Sequence, residues 1–187
     1  MIHSFSNLCG IDILYVTPQG QIAHQYSRIP NENDFSFQLI DSCLGRPAIT
    51  CASEIINVHY IDKKNCLSHR TVDQLSPIHP EHRSITQNIK TSVSPVSCNI
   101  GGKVYVFYID NQEKLVEISH NISQGKQVNM RFINDEKVDK TMIKAISTSN
   151  GQGYLFFKTL DRLNWVKLGT KSDKLVVNNI VLPFELK

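Results

Sequence analysis

The chain repeats itself. Aligning "NVHYIDKKNCLSHR" (from Asn57) with "KVYVFYIDNQEKLVEIS" (from Lys103) puts Tyr60 on Tyr108, an offset of 48 residues. The same offset carries Pro47 onto Pro95, Val58 onto Val106, Ile61 onto Ile109, Asp62 onto Asp110 and Leu67 onto Leu115. A third copy lies 45 residues upstream, where "DILYVTPQGQIAHQ" places Tyr15 on Tyr60 and Ile22 on Leu67. A fourth lies downstream as "GYLFFKTLDRLNWVK", with Phe157 on Tyr108 and Leu163 on Leu115 after one deletion in the turn. Similar short segments, "PAITCA", "PVSCNI" and "KAISTS", precede the last three copies. Four units of about 45 to 49 residues thus fill the chain, near 1–45, 46–93, 94–142 and 143–187. A fixed period of this size restricts a chain to a few repeat architectures.

Each unit reads as all-β. In the aromatic strand of the third unit, Val104, Val106 and Tyr108 fall on one face, and Tyr105, Phe107 and Ile109 on the other. The connections "TPQGQ", "DKKNC", "DNQEK" and "TLD-R" are rich in turn-forming residues. Candidate fourth strands are "FSFQLID", "SITQNI", "VNMRFIN" and "KLVVNNIVL". No segment carries a capped 3.6-residue period. A period near 45 with four short strands per unit predicts a β-propeller of four repeated blades in one domain, 1–187. Stacked blades bury the faces that one sheet alone cannot. The alternative is a β-sandwich of similar hairpins. The repeated aromatics Tyr15, Tyr60, Tyr108 and Phe157 are expected between blades.

Composition narrows the function. The net charge of +3 is too small to indicate nucleic acid. Residues 1–125 hold 9 basic and 11 acidic side chains, and residues 126–187 hold 11 and 6. The longest apolar run, Val104 to Ile109, is far short of a membrane span. Cys9, Cys43, Cys51, Cys66 and Cys98 form an odd set with no CxxC pair, which predicts thiols rather than a disulfide framework or zinc site. The N-terminal "MIHSFSNLCGIDILYV" lacks a basic segment followed by an apolar one, so no signal peptide is expected. These features favour a cytoplasmic setting. "NIS" at Asn121 is a glycosylation sequon, meaningful only on a secretory route.

The unit "SPVSCNIGGKVYVFYIDNQEKLVEIS" resembles the blade of the fungal fucose-binding lectins of the aleuria type. The resemblance covers all four units and is strongest in the second and third. It implies sugar-binding propellers, generally of six blades, with an Arg on the aromatic strand and a Glu two residues after the following Leu or Ile. The positions matching the Arg are Asp12, Asn57, Tyr105 and Tyr154, so the guanidinium is missing. The positions matching the Glu are His24, His69, Glu117 and Trp165, and only Glu117 agrees. The scaffold is retained where the fucose residues are not.

His24, His69, Glu117 and Trp165, with Tyr105 and Tyr154, are therefore the candidate ligand-binding residues. Aromatic rings stack on the apolar faces of sugars, while imidazole and carboxylate groups bond hydroxyls. The expected function is a non-catalytic, lectin-like binding module for a glycan or a protein partner, with no cofactor, metal or catalytic residue. The alternative is a small hydrolase using pocket histidines. "HPEH", from His79 to His82, lacks the order of a zinc helix and reads as a loop. Burial of terminal blade faces favours closure within one chain and a monomer; the alternative is pairing with a second copy.

Overall fold

The computed structural model describes residues 2–7, 10–27, 35–52, 54–73, 81–86, 93–121, 129–134, 136–159, 162–169 and 177–180. The chain divides into two compact units, Met1–Pro95 and Val96–Lys187. Each unit contains two four-stranded sheets, and each sheet is an antiparallel meander of consecutive strands. The first sheet is β1 (Ile2–Asn7), β2 (Gly10–Val16), β3 (Gln21–Ser27) and β4 (Ser36–Ser42). The second is β5 (Leu44–Ala52), β6 (Ile55–Ile61), β7 (Leu67–Asp73) and β8 (Glu81–Thr86). The third is β9 (Val96–Ile100), β10 (Lys103–Ile109), β11 (Leu115–Asn121) and β12 (Asn129–Phe132). The fourth is β13 (Val138–Ser147), β14 (Gly153–Thr159), β15 (Arg162–Leu168) and β16 (Val177–Ile180). A sandwich exchanges strands between its two sheets. Here every sheet is made of one repeat, which is blade topology, and the sandwich alternative falls.

The hairpin written twice in the sequence has a local cause. Between β6 and β7, Asp62 Oδ1 accepts the Lys64 and Cys66 amides at 2.8 and 2.9 Å. Between β10 and β11, Asp110 Oδ1 accepts the Gln112 and Lys114 amides, both at 2.9 Å. Asn65 and Glu113 then take the left-handed conformation that closes each turn, with φ of 57° and 65°. Thr17 and Gly20 do the same between β2 and β3, with the Thr17 hydroxyl in place of the carboxylate. Side-chain capping of backbone amides is what these residue types do best in turns.

In the first unit, Leu14, Ile22 and Ile40 of the first sheet pack on Ile56, Val58 and Tyr60 of the second. All but Ile40 among these are fully buried. In the second unit, Ile100 of β9 projects into the fourth sheet. A Cβ on Gly153 would overlap the Ile100 Cδ1 atom and lie 2.8 Å from its Cγ1. Glycine therefore lets the two sheets approach closely at that point.

The faces differ between repeats. Strands β6 and β10 are buried at every position after the first. Strands β2 and β14 are buried chiefly at alternate positions. Side chains on both sides of β6 and β10 are therefore buried, while in β2 and β14 chiefly those on one side are. Tyr60, Tyr108 and Phe157 are buried as expected, but Tyr15 is only half-buried. The reason is its place on the face of the first sheet that looks away from the second.

Two sequence expectations are corrected. The fourth strand of the second repeat starts three residues before "SITQNI", at Glu81, and shares residues 84–86 with it; the rest of that segment lies outside the described residues. Glu81 and His82 of "HPEH" begin that strand rather than a loop, while His79 and Pro80 lie outside the described residues. The short segments before each aromatic strand are full partners: β5 and β13 are the longest strands among those described.

Candidate binding site

The two candidate positions of each repeat meet. In every sheet they sit on adjacent strands as diagonal neighbours on one face, because the residue two before the first position's cross-strand partner is the second position. The chemistry of the contact changes from sheet to sheet.

In the first sheet, Asp12 and His24 are fully buried, with His24 Nε2 2.8 Å from Asp12 Oδ1. The Gln38 amide nitrogen reaches His24 Nδ1 at 2.8 Å. An amide NH2 only donates, so Nδ1 accepts and the ring proton sits on Nε2, donated to Asp12. The ring of Tyr26 stacks on His24 at 5.0 Å. In the second sheet, His69 Nε2 lies 2.9 Å from Asn57 Oδ1, and the His69 ring stacks nearly parallel on His59 at 4.3 Å. His69, His59 and Asn57 are all buried. The histidines considered for hydrolysis are thus held in packed side-chain contacts, not displayed in an open cleft.

In the third sheet the position holds Tyr105 and Glu117, both buried. Glu117 is the cross-strand partner of Arg131 on β12. Arg131 grips the carboxylate with both arms of its guanidinium: Nε donates to Oε1 at 2.9 Å and Nη2 to Oε2 at 2.8 Å. The Arg131 side chain remains one-third exposed while that of Glu117 is almost wholly covered, 33% against 3%. Burial, and then the Glu117 carboxylate, push the Tyr105 phenol up; Arg131 opposes them. Cys98, the cross-strand partner of Tyr105, is raised to about 12 by burial and by Glu117. Lys103 Nζ stands 5.1 Å above the Tyr105 ring. A buried carboxylate is retained because a bidentate guanidinium satisfies it.

In the fourth sheet the pair is aromatic. Tyr154 and Trp165 meet at 6.0 Å between ring centroids, tilted by 53°, and both are half-buried. The Tyr154 hydroxyl donates to Gln152 Oε1 at 2.7 Å. Of the six candidates, His24, His69, Tyr105 and Glu117 are buried; Tyr154 and Trp165 keep exposed surface. Sequence reasoning missed Arg131. It looked for a guanidinium on the aromatic strand, whereas β12 supplies one from across the ladder. The only local signal was an arginine within the candidate strand "VNMRFIN".

Among the described residues, Cys43, Cys51, Cys66 and Cys98 are thiols. No helix in them is long and apolar enough to cross a membrane.

No protein-family model matches the sequence, and no curated protein matches it. Solved structures do. A mutant of Aleuria aurantia lectin bound to Fucα1-6GlcNAc superposes with a TM-score of 0.64 at 14% identity, over 94% of this chain and 59% of that one. Another structure of that lectin is described as a six-bladed β-propeller with a novel fucose recognition mode. AofleA from Arthrobotrys oligospora matches with a TM-score of 0.64 at 13% identity, over 94% and 55%. A NanB sialidase mutant from Streptococcus pneumoniae matches with a TM-score of 0.55 at 15% identity, over 87% and 29%. The likeness at these identities is one of fold, that of a β-propeller. The chain spans 54% of the length of an AofleA mutant chain and 61% of that of SapL1 lectin.

Proposed function

We propose that the protein is a non-catalytic carbohydrate-binding module, with Arg131 of the third sheet, held by the buried Glu117 beside Tyr105, as its sugar-contacting group. The observation that carries this reading is the bidentate Glu117–Arg131 pair, covered on the carboxylate side and open on the guanidinium side. The open guanidinium edge donates to sugar hydroxyls and ring oxygens, while the buried Glu117 carboxylate holds the guanidinium in place. The pair restores the acid and guanidinium combination whose second member is absent from β10. The lectin structures of the same fold, solved with fucosides, support a glycan as ligand rather than a protein alone.

The test is calorimetric titration with α-methyl-L-fucoside, backed by a glycan array. Binding that falls at least tenfold in both Glu117→Gln and Arg131→Lys supports the proposal, with circular dichroism showing that both variants remain folded. Lysine keeps the charge but cannot form the two-armed contact. An array with no glycan bound overturns it and leaves recognition of a protein partner. Glycan binding unchanged in both variants moves the site elsewhere.

A further inference from the structure

Of the fifteen asparagines in the chain, one is followed by glycine: Asn150, before Gly151. The pair stands in the turn between β13 and β14, and every residue from Ile146 to Gly151 is exposed. The Gly151 amide donates to the Thr148 carbonyl at 3.0 Å, and the Thr148 amide to the Gln152 carbonyl at 2.7 Å. Gly151 has a φ of 77°, in the left-handed region. A Cβ there would meet nothing within 4 Å, so backbone conformation and not crowding calls for glycine.

This step sets an electrophile beside a nucleophile. The electrophile is the Asn150 side-chain amide carbon, and the nucleophile is the Gly151 main-chain nitrogen. A side chain on the following residue hinders closure of the five-membered ring between them, and Gly151 has none. The Thr148 hydroxyl reaches Asn150 Oδ1 as well as the Gln152 carbonyl. Donated to Oδ1, its proton draws electrons from the amide carbon. The bond that holds the attacking nitrogen to the Thr148 carbonyl lies in an exposed turn, where local opening costs little. Asn65 and Asn111 also stand in hairpin turns, but Cys66 and Gln112 follow them.

We propose that Asn150 is a site of spontaneous deamidation, and that the change is felt at the Tyr154–Trp165 pair. The Gly151 nitrogen attacks Asn150 Cγ. Its proton leaves with the side-chain nitrogen as ammonia, and a cyclic imide remains. Water then opens the ring. Opening at one carbonyl leaves an aspartate side chain; opening at the other routes the main chain through the side-chain carbonyl and leaves an isoaspartate. Nothing is oxidised or reduced. Either product adds a negative charge to the turn, and the isoaspartate adds one carbon to the main chain ahead of Gly151. The extra carbon spoils the fit of the Gly151 amide to the Thr148 carbonyl and displaces Gln152. Gln152 Oε1 accepts the Tyr154 hydroxyl at 2.7 Å, and the Tyr154 ring meets Trp165, the chain's single tryptophan, at 6.0 Å. Trp165 therefore reports the state of the turn.

The experiment ages the whole protein at 37 °C, at pH 8 and at pH 6. Tryptic peptides are mapped by mass spectrometry, and isoaspartate is counted with an isoaspartyl methyltransferase. Conversion at Asn150 is expected to run at least tenfold faster than at Asn65 or Asn111. It is expected to run faster at pH 8 than at pH 6, because attack needs the amide nitrogen without its proton. Asn150→Gln is expected to stop it, since the longer side chain closes a less favourable six-membered ring. That side chain is exposed, so the variant folds, which circular dichroism checks. Trp165 emission is expected to shift in step with conversion in the wild type and to stay constant in aged Asn150→Gln. If Asn150 stays intact while the same protein unfolded in urea is converted, the turn protects it and the proposal is overturned. Equal conversion at all three asparagines overturns it too, as does Trp165 emission that ignores full conversion.

Discussion

Asp41 shows how far a single side chain can tie two repeats together. It stands on β4 of the first sheet and accepts from two residues of the second: the Tyr60 hydroxyl at 2.5 Å and Arg70 Nη2 at 3.1 Å. Burial pushes the Asp41 carboxyl up, but hydrogen bonds from Tyr60, the Ser42 amide and Arg70 outweigh it and hold the group below its ordinary 3.8. Burial, and then the same carboxylate, push the Tyr60 phenol up. A carboxyl depressed in the folded state contributes stability above its unfolded value and loses it as the pH falls through the folded one. Wild-type urea midpoints are therefore expected to drop as the pH is lowered from 5 towards 3. In Asp41→Asn that part of the acid sensitivity disappears, and stability is lower at neutral pH. Equal acid slopes in the two proteins would show that Asp41 does not carry the linkage.

At the scale of the element, the contact between the third and fourth sheets depends on what is absent from Gly153. The Ile100 side chain occupies the space where a Cβ would stand. Gly153→Ala forces Ile100 out of its place and is expected to cost about 1 to 3 kcal/mol, the usual penalty of overpacking. Ile100→Ala opens the space, so the double variant is expected to be less destabilised than the sum of the two single changes. Chemical denaturation of the four proteins in this cycle measures the coupling. Strict additivity would show that the two residues do not share the space. The hairpins were readable in advance because their determinants are local: a Thr or Asp in the turn caps amides two to four residues away. The fourth strands were legible only in outline, and the start of β8 was placed three residues late. β8 and β12 sit at sheet edges, where one side of the ladder carries no partner strand within the sheet and the hydrophobic pattern is weak.

The repeat, the all-β character and the turn positions were all visible in the chain before any coordinates. Each rests on residues close in sequence or on a period that alignment exposes. Tertiary structure alone decided the rest. Whether His24 faces water or a packed neighbour depends on the next sheet, and no local pattern encodes that sheet's distance. Whether a guanidinium reaches Glu117 depends on cross-strand register, which brought Arg131 opposite it from the last strand of the repeat. Tyr15 and Tyr60 are the same residue at the same place in the same hairpin, and only what stands against each face makes one half-open and the other sealed. Burial is a property of pairs of surfaces, so a sequence that repeats its strands faithfully still cannot say which of them end up covered.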